Sequence, residues 1–229
     1  MGNTVRRKAA SEYVLIKASY PRSGTTWISQ LLGHHYDLGG ASVYDRAAKR
    51  STKTKQYHSL SWVRSPLEGR HHLVISTHNE AVPSGARGLP AILVVRDVRD
   101  AVVSFAHYTV NFWRSRHPIP VLLRRYATSS RWSRLAEVWL SRGAVVLKYE
   151  DLKLNPFEAL RAAMEQVLPH LEPVTDAPLP IPFEVAHKRT PSFFRRGIAG
   201  AWKDEMPPAI QKICWERHHA MMKKLGYTQ

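Results

Sequence analysis

Four short apolar runs constrain this chain more than any other feature. Tyr13 to Ala18, Leu73 to Ser76, Ala91 to Val95 and Ala144 to Tyr149 are stretches of four to six residues rich in Val, Ile and Leu, which is how strands buried on both faces of a parallel sheet read. The helical patterns that follow are clearest after the first, third and fourth runs. Ile28, Leu31, Leu32 and His35 recur at helical spacing, as do Val98, Ala101, Val102 and Phe105, with Asp97 placed to cap that second helix and Asp100 in its first turn. Asn155-Pro156-Phe157-Glu158 reads as N-cap, N1 proline and acidic N3, opening a helix with Phe157, Leu160, Met164 and Val167 on one face. Strands alternating with helices predict an α/β fold, and 229 residues suit one domain with a large core.

Three stretches stand outside the alternation. Residues 37–70 are polar and basic, include Gly39-Gly40, and are expected to form a mobile loop; residues 1–10 are expected to be flexible. Asn111 to Arg142 is rich in Arg and Trp and looks helical in its later half. Pro173 to Pro182 holds four prolines and reads as an extended connector.

The segment that carries chemistry is Tyr20-Pro21-Arg22-Ser23-Gly24-Thr25-Thr26-Trp27, between the first strand and its helix. Ligands gather at the carboxyl ends of parallel strands, and a helix N-terminus beyond such an end presents free N–H groups to an anion. Gly24 lets the backbone come close, Ser23, Thr25 and Thr26 add hydroxyl donors, and Arg22 adds a full charge. A second glycine and a Lys-Ser/Thr pair are absent, so this is not a Walker A loop.

Here the chain resembles the PAPS-dependent sulfotransferases, whose 5′-phosphosulfate loop reads Pro-Lys-Ser-Gly-Thr-Thr-Trp; Arg22 stands in place of the lysine. Val95-Arg96-Asp97 through Ser104 resembles the family's 3′-phosphate segment, in which an arginine and a serine eight residues later hold the phosphate. Tyr149-Glu150-Asp151-Leu152 is similar to the segment whose tyrosine lies by the adenine, and Arg195-Arg196-Gly197-Ile198-Ala199-Gly200-Ala201-Trp202-Lys203 to the glycine-rich element that closes over the 3′-phosphate. With the strand-helix alternation, the resemblance implies a P-loop-like, three-layer α/β fold with a central parallel sheet of four to five strands flanked by helices. It implies a nucleotide site built from Arg22, Ser23, Gly24, Thr25, Thr26, Trp27, Arg96, Ser104, Tyr149, Arg195, Arg196 and Gly197. The donor would be 3′-phosphoadenosine 5′-phosphosulfate (PAPS), the product 3′-phosphoadenosine 5′-phosphate (PAP), and no metal would be needed.

Sulfuryl transfer requires a base for the acceptor proton and positive charge on the departing phosphate. His78 ends the run Val74 to Thr77 on the same edge of the sheet as the anion loop and is the candidate base; Arg22 is the candidate for charge neutralisation, since arginine does not deprotonate in proteins. The family's cytosolic members carry Lys-Thr-His here, and Ser76 replaces that lysine. Phe183 is the nearest match to the family's adenine-stacking aromatic, and Trp113, Trp132 and Trp139 are candidates for core or pocket. The family's dimer segment breaks off after Lys203, which leaves the oligomeric state open.

A formal net charge of +16 calls for an anionic partner. Two other readings therefore stay open: a non-catalytic nucleic-acid or polyanion-binding protein, and a P-loop-type nucleotide kinase. Against the first, the basic residues are dispersed and no nucleic-acid-binding motif occurs; against the second, the Walker lysine is missing. The single cysteine, Cys214, suits the reducing cytoplasm, no apolar run reaches membrane-span length, and the adjacent histidine pairs, His34-His35 among them, should point their rings apart rather than share a metal. The expected partner is a small-molecule acceptor with a hydroxyl or amine, not a nucleic acid.

Overall fold

The computed structural model describes residues 13–42, 72–81, 88–179, 183–189, 191 and 194–229. Five parallel strands form one sheet: β1 (Tyr13–Ser19), β2 (Gly39–Ser42), β3 (His72–Thr77), β4 (Ala91–Val95) and β5 (Val145–Lys148), in the order β2-β3-β1-β4-β5. Helices α1 (Thr25–Tyr36), α2 (Val98–Asn111), α3 (Ile119–Thr128), α4 (Arg131–Ser141), α5 (Tyr149–Leu154), α6 (Pro156–Val167), α7 (Phe183–Arg189), α8 (Trp202–Glu205) and α9 (Pro208–Lys224) complete the described residues.

The continuous apolar strands serve two cores because successive side chains point to opposite faces. Ile16, Ala18, Leu93 and Val95 pack against Val102, Phe105, Leu122, Trp132, Trp139 and Cys214 from α2, α3, α4 and α9. Leu15, Val74, Ile92, Val94 and Leu147 pack against Ile28, Leu31, Leu32, Leu160 and Met164 from α1 and α6. Helices therefore cover both faces, and the three-layer expectation holds. Trp132 and Trp139 belong to the core.

The sheet departs from the sequence expectation in two places. Gly39-Gly40, expected in a mobile loop, opens the edge strand β2, which pairs with β3 from Gly39↔Leu73 to Ser42↔Ser76; the rest of that expected loop, 43–70, lies outside the described residues, as do residues 1–12. Four residues of small side chain give no apolar signal, so partner strand rather than propensity places β2. Tyr149, expected to end the fourth run as a strand residue, instead opens the short helix α5.

Register aligns the carboxyl ends. Ala18 pairs with Thr77, Ser19 with Val94 and Val95 with Lys148, so Tyr20, His78, Arg96 and Tyr149 each directly follow a strand on one edge. Strand order reverses across β1, the switch point at which open parallel sheets bind ligands.

The start of α2 is fixed by Asp97, whose side chain accepts from the Arg99 N–H at 2.9 Å and from the Arg99 guanidinium at 2.7 Å. Both residues are buried, and Arg99 also donates to Thr228 O and lies over the Trp202 ring at 3.7 Å. Asp97→Ala removes the cap and strands a buried guanidinium, and urea unfolding should register a loss of about 3–5 kcal/mol. Asp97→Asn, which can still accept from Arg99 N, should lose less.

Candidate functional site

The loop after β1 owes its shape to two left-handed residues, Arg22 (φ 70°) and Gly24 (φ 92°). Gly24 is required twice over, because a Cβ there would sit 2.7 Å from Cδ2 of Tyr149. Closeness to that ring explains the glycine. It precedes Thr25 at the start of α1, whose N-terminus has no side-chain cap, leaving its first N–H groups directed at the space beyond the loop.

Arg96 joins the pieces. Only 7% exposed, it donates from Nη1 to Arg22 O at 3.2 Å and from Nη2 to Ile198 O at 2.8 Å, and its guanidinium lies 4.4 Å from the centre of the Tyr149 ring. Tyr149 in turn packs edge-on against Trp27. Arg22 Nε donates to Ser104 Oγ at 3.4 Å, across from the loop to α2. The segment 195–202 is fastened by Asp100, whose carboxylate accepts from Gly200 N at 2.6 Å and Trp202 N at 3.0 Å. Sequence reasoning placed Asp100 in the first turn of α2 and missed this second duty, which no local pattern signals.

Arg22, Gly24, Trp27, Arg96, Ser104 and Tyr149 line a cavity of about 890 Å³, at the large end for ligand pockets. Every site residue expected from sequence lines it except Ser23, which is fully buried beneath the loop. Arg195 and Arg196, both expected to face the nucleotide, line the cavity and are each paired with Glu205, through Oε2 and Oε1. Three buried polar atoms around the cavity, Ser23 Oγ, Arg96 Nε and Arg195 Nε, have no hydrogen-bond partner among the described residues. Such atoms are costly unless something polar meets them.

His78 is half-buried, with Nδ1 2.8 Å from Ser19 O and 3.2 Å from Ser19 Oγ, which contacts Thr25 Oγ1 at 2.7 Å. A carbonyl can only accept, so Nδ1 carries the proton and the neutral ring has its lone pair on Nε2. Burial above all lowers the His78 pKa below the ordinary imidazole value; its hydrogen bond to Ser19 opposes this, and the positive charges of Arg131, Lys17 and Arg22 add to it. The ring is thus a neutral base at pH 7. Arg22, depressed by burial to about 10, remains a cation.

Lys17 went unremarked in the sequence because it sits inside an apolar run. It is completely buried in β1, donates to Thr25 O at 2.7 Å and to Ser29 Oγ, and pairs in register with Ser76. In-register neighbours share a face, so this lysine lies beside the position whose lysine Ser76 replaces. The one available signal was a charged residue at a position patterned for burial.

His34 and His35 do not point apart as expected. Their ring centroids lie 4.8 Å apart, and they bond to Ala177 O and Thr175 O of the connector. No metal-ligating group of three or more His, Cys, Asp or Glu occurs among the described residues, and none of the described helices is long and apolar enough to cross a membrane.

The family model described as sulfotransferase domain matches residues 13–165, well over half of the chain. The chain belongs to this sulfotransferase family. The match takes in the loop, His78, Arg96, Ser104 and Tyr149, and ends before Arg195. Among relatives, this sulfotransferase is 24% identical to sulfotransferase 1B1 of Canis lupus familiaris, over 83% of this chain and 77% of the relative, and 21% identical to sulfotransferase 1E1 of Homo sapiens, over 92% and 84%. Its fold is that of mouse sulfotransferase SULT7A1, solved with PAP, at TM-score 0.65 and 17% identity over 93% and 86% of the two chains. Retinol dehydratase, solved with androsterone and PAP, matches at TM-score 0.60 and 15% identity over 96% and 84%.

Buried without a carboxylate, Lys17 destabilises the fold, and burial lowers its pKa to about 7. The native state then binds fewer protons than the unfolded chain between that pH and the ordinary lysine value, so the cost is full below pH 7 and fades above it. Lys17→Met should stabilise the protein by about 1–4 kcal/mol in urea unfolding at acidic pH, a gain that shrinks as the pH rises towards about 10.

Proposed function

We propose that this sulfotransferase moves a sulfuryl group from PAPS to the hydroxyl or amine of a small acceptor, with His78 as general base. The observation that carries the reading is the convergence of Arg22, Arg96 and Arg195 on one cavity with a neutral histidine whose Nε2 holds the lone pair. Buried guanidinium N–H groups with no partner among the described residues, on Arg96 and Arg195, suit a ligand with several phosphate oxygens. The PAP bound to the two solved structures of this fold supports the same donor class. An exposed polyanion surface fits less well, because Arg22, Arg96 and Arg195 converge on one cavity rather than along a stripe.

The proposed roles follow from position. Arg96, Ser104, Arg195, Arg196 and Gly197 would hold the 3′-phosphate, the loop from Arg22 to Thr26 the 5′ end, and Trp27 and Tyr149 the adenine. Exchange of Glu205 for phosphate oxygens would free Arg195 and Arg196 for their part. The acceptor oxygen gives its proton to His78 Nε2 and forms the new O–S bond as the bond from sulfur to the bridging phosphate oxygen breaks. Charge then collects on the departing phosphate, where Arg22 and the N–H groups of α1 neutralise it. Lys17 holds the loop from beneath through Thr25 O.

His78→Ala should lower kcat by about 10²–10⁴-fold while the Kd for PAP, measured by calorimetry, stays unchanged. Wild-type turnover in that variant would remove His78 from the mechanism. Arg96→Ala should weaken PAP by about 10-fold or more, and preference for ATP over PAP would favour a kinase instead. Because the base acts deprotonated, kcat/KM should fall as pH drops through an apparent value below the ordinary imidazole range and stay flat above it.

A further inference from the structure

The cavity is lined by more cations than carboxylates. Its described lining includes six cations, Arg22, Arg96, Arg131, Lys153, Arg195 and Arg196, against one carboxylate, Asp176. Asp176 belongs to the connector fastened to the C-terminal end of α1 through His34 and His35. The donor reading employs the arginines of the loop, of β4's end and of the 195–197 segment. It has no use for Arg131.

Arg131 opens α4 and stands beside the proposed base, donating from Nη2 to the carbonyl of His78 at 3.1 Å. No ion pair of Arg131 occurs among the described residues. A guanidinium has five N–H donors, and this contact employs one. The lining also includes Phe105, Tyr108 and Trp113, whose rings pack on one another at centroid distances of 5.3 to 5.7 Å between Trp113 and the other two; Phe105 meets Tyr20 edge-on at 6.1 Å, and Tyr20 lies within the field of Arg131. Trp113 is 58% exposed, a large apolar surface at the mouth of a pocket. Such a wall takes a flat aromatic body, and a partly desolvated guanidinium beside it takes an anion.

We infer that Arg131 selects the acceptor: a flat, hydroxylated aromatic compound carrying an anionic substituent such as a carboxylate, whose hydroxyl faces His78 while its anion meets the guanidinium. The inference rests on the sulfotransferase reading above and narrows its acceptor class. It also implies rejection of acceptors with a cationic amine, since like charges would be brought together. The influence of Arg131 on His78, whose proton affinity it lowers, agrees with their closeness.

The test uses the full chain, PAPS, and two acceptors matched in shape, para-hydroxyphenylpropionate and its amide. In the wild-type protein kcat/KM should favour the acid by about 10-fold or more, chiefly through KM. Arg131→Gln should bring the ratio to about one, and Arg131→Lys, which keeps charge without the fork, should leave it in between. Because Arg131 also touches the backbone of His78, absolute rates will fall in both variants; calorimetric Kd values for the two compounds with PAP bound give the same ratio without turnover. An amide handled as well as the acid by the wild-type protein, or a preference untouched by Arg131→Gln, overturns the inference. A protein that sulfates the amide while giving either result still stands as a sulfotransferase, whereas one that binds no PAP overturns the donor reading and this inference with it.

Discussion

The contacts of Arg96 hold the site together. One guanidinium at the end of β4 accepts restraint from four directions: the carbonyl of Arg22, the carbonyl of Ile198, the ring of Tyr149 and, at 3.9 Å, the carboxylate of Asp100. Each comes from a different part of the chain. A residue that is nearly buried and this constrained fixes its neighbours as much as they fix it. The loop after β1, the start of α5 and the segment that follows α7 are thereby brought to one place, although residues 22 and 198 are far apart in sequence.

Much of the fold was legible because the chain states it redundantly. Ala91–Val95 is strand by composition, by length and by the capped helix that follows, and the Asp97 and Asn155 caps accept from the N–H groups of Arg99 and Glu158 as their spacing implied. Ser104 was legible through the resemblance of its segment, eight residues after Arg96, and Arg22 meets it from the loop. Lys17, Asp100 and Glu205 were not, since each owes its importance to a partner supplied by tertiary structure. A lysine in an apolar run, an aspartate in a first helical turn and a glutamate after a Trp-Lys pair all have ordinary local explanations. Likewise β2 exists because β3 offers it an edge, not because Gly-Gly-Ala-Ser favours a strand.

The charge distribution carries a cost that the cores offset. Lys17 is wholly buried and Arg96 nearly so, and Arg195 keeps a buried nitrogen with no partner among the described residues. Desolvating cations opposes folding, and two apolar layers, one on each face of the sheet, supply the compensation. Stability is thus exchanged for order: Arg96 is held in one orientation and largely dehydrated, the condition under which a charge acts most strongly.

The shared register of the strand ends has a consequence for how such a chain can vary. Tyr20, His78, Arg96 and Tyr149 each occupy the first position beyond a strand. Inserting or deleting a single residue inside a strand would displace the following residue by about 3.3 Å and flip the strand's side chains to the other face. Length changes are therefore tolerable at the opposite edge of the sheet, where the chain re-enters each strand, and prohibitive within β1, β3, β4 or β5. The count of residues per strand is thus as binding on this architecture as the residues themselves.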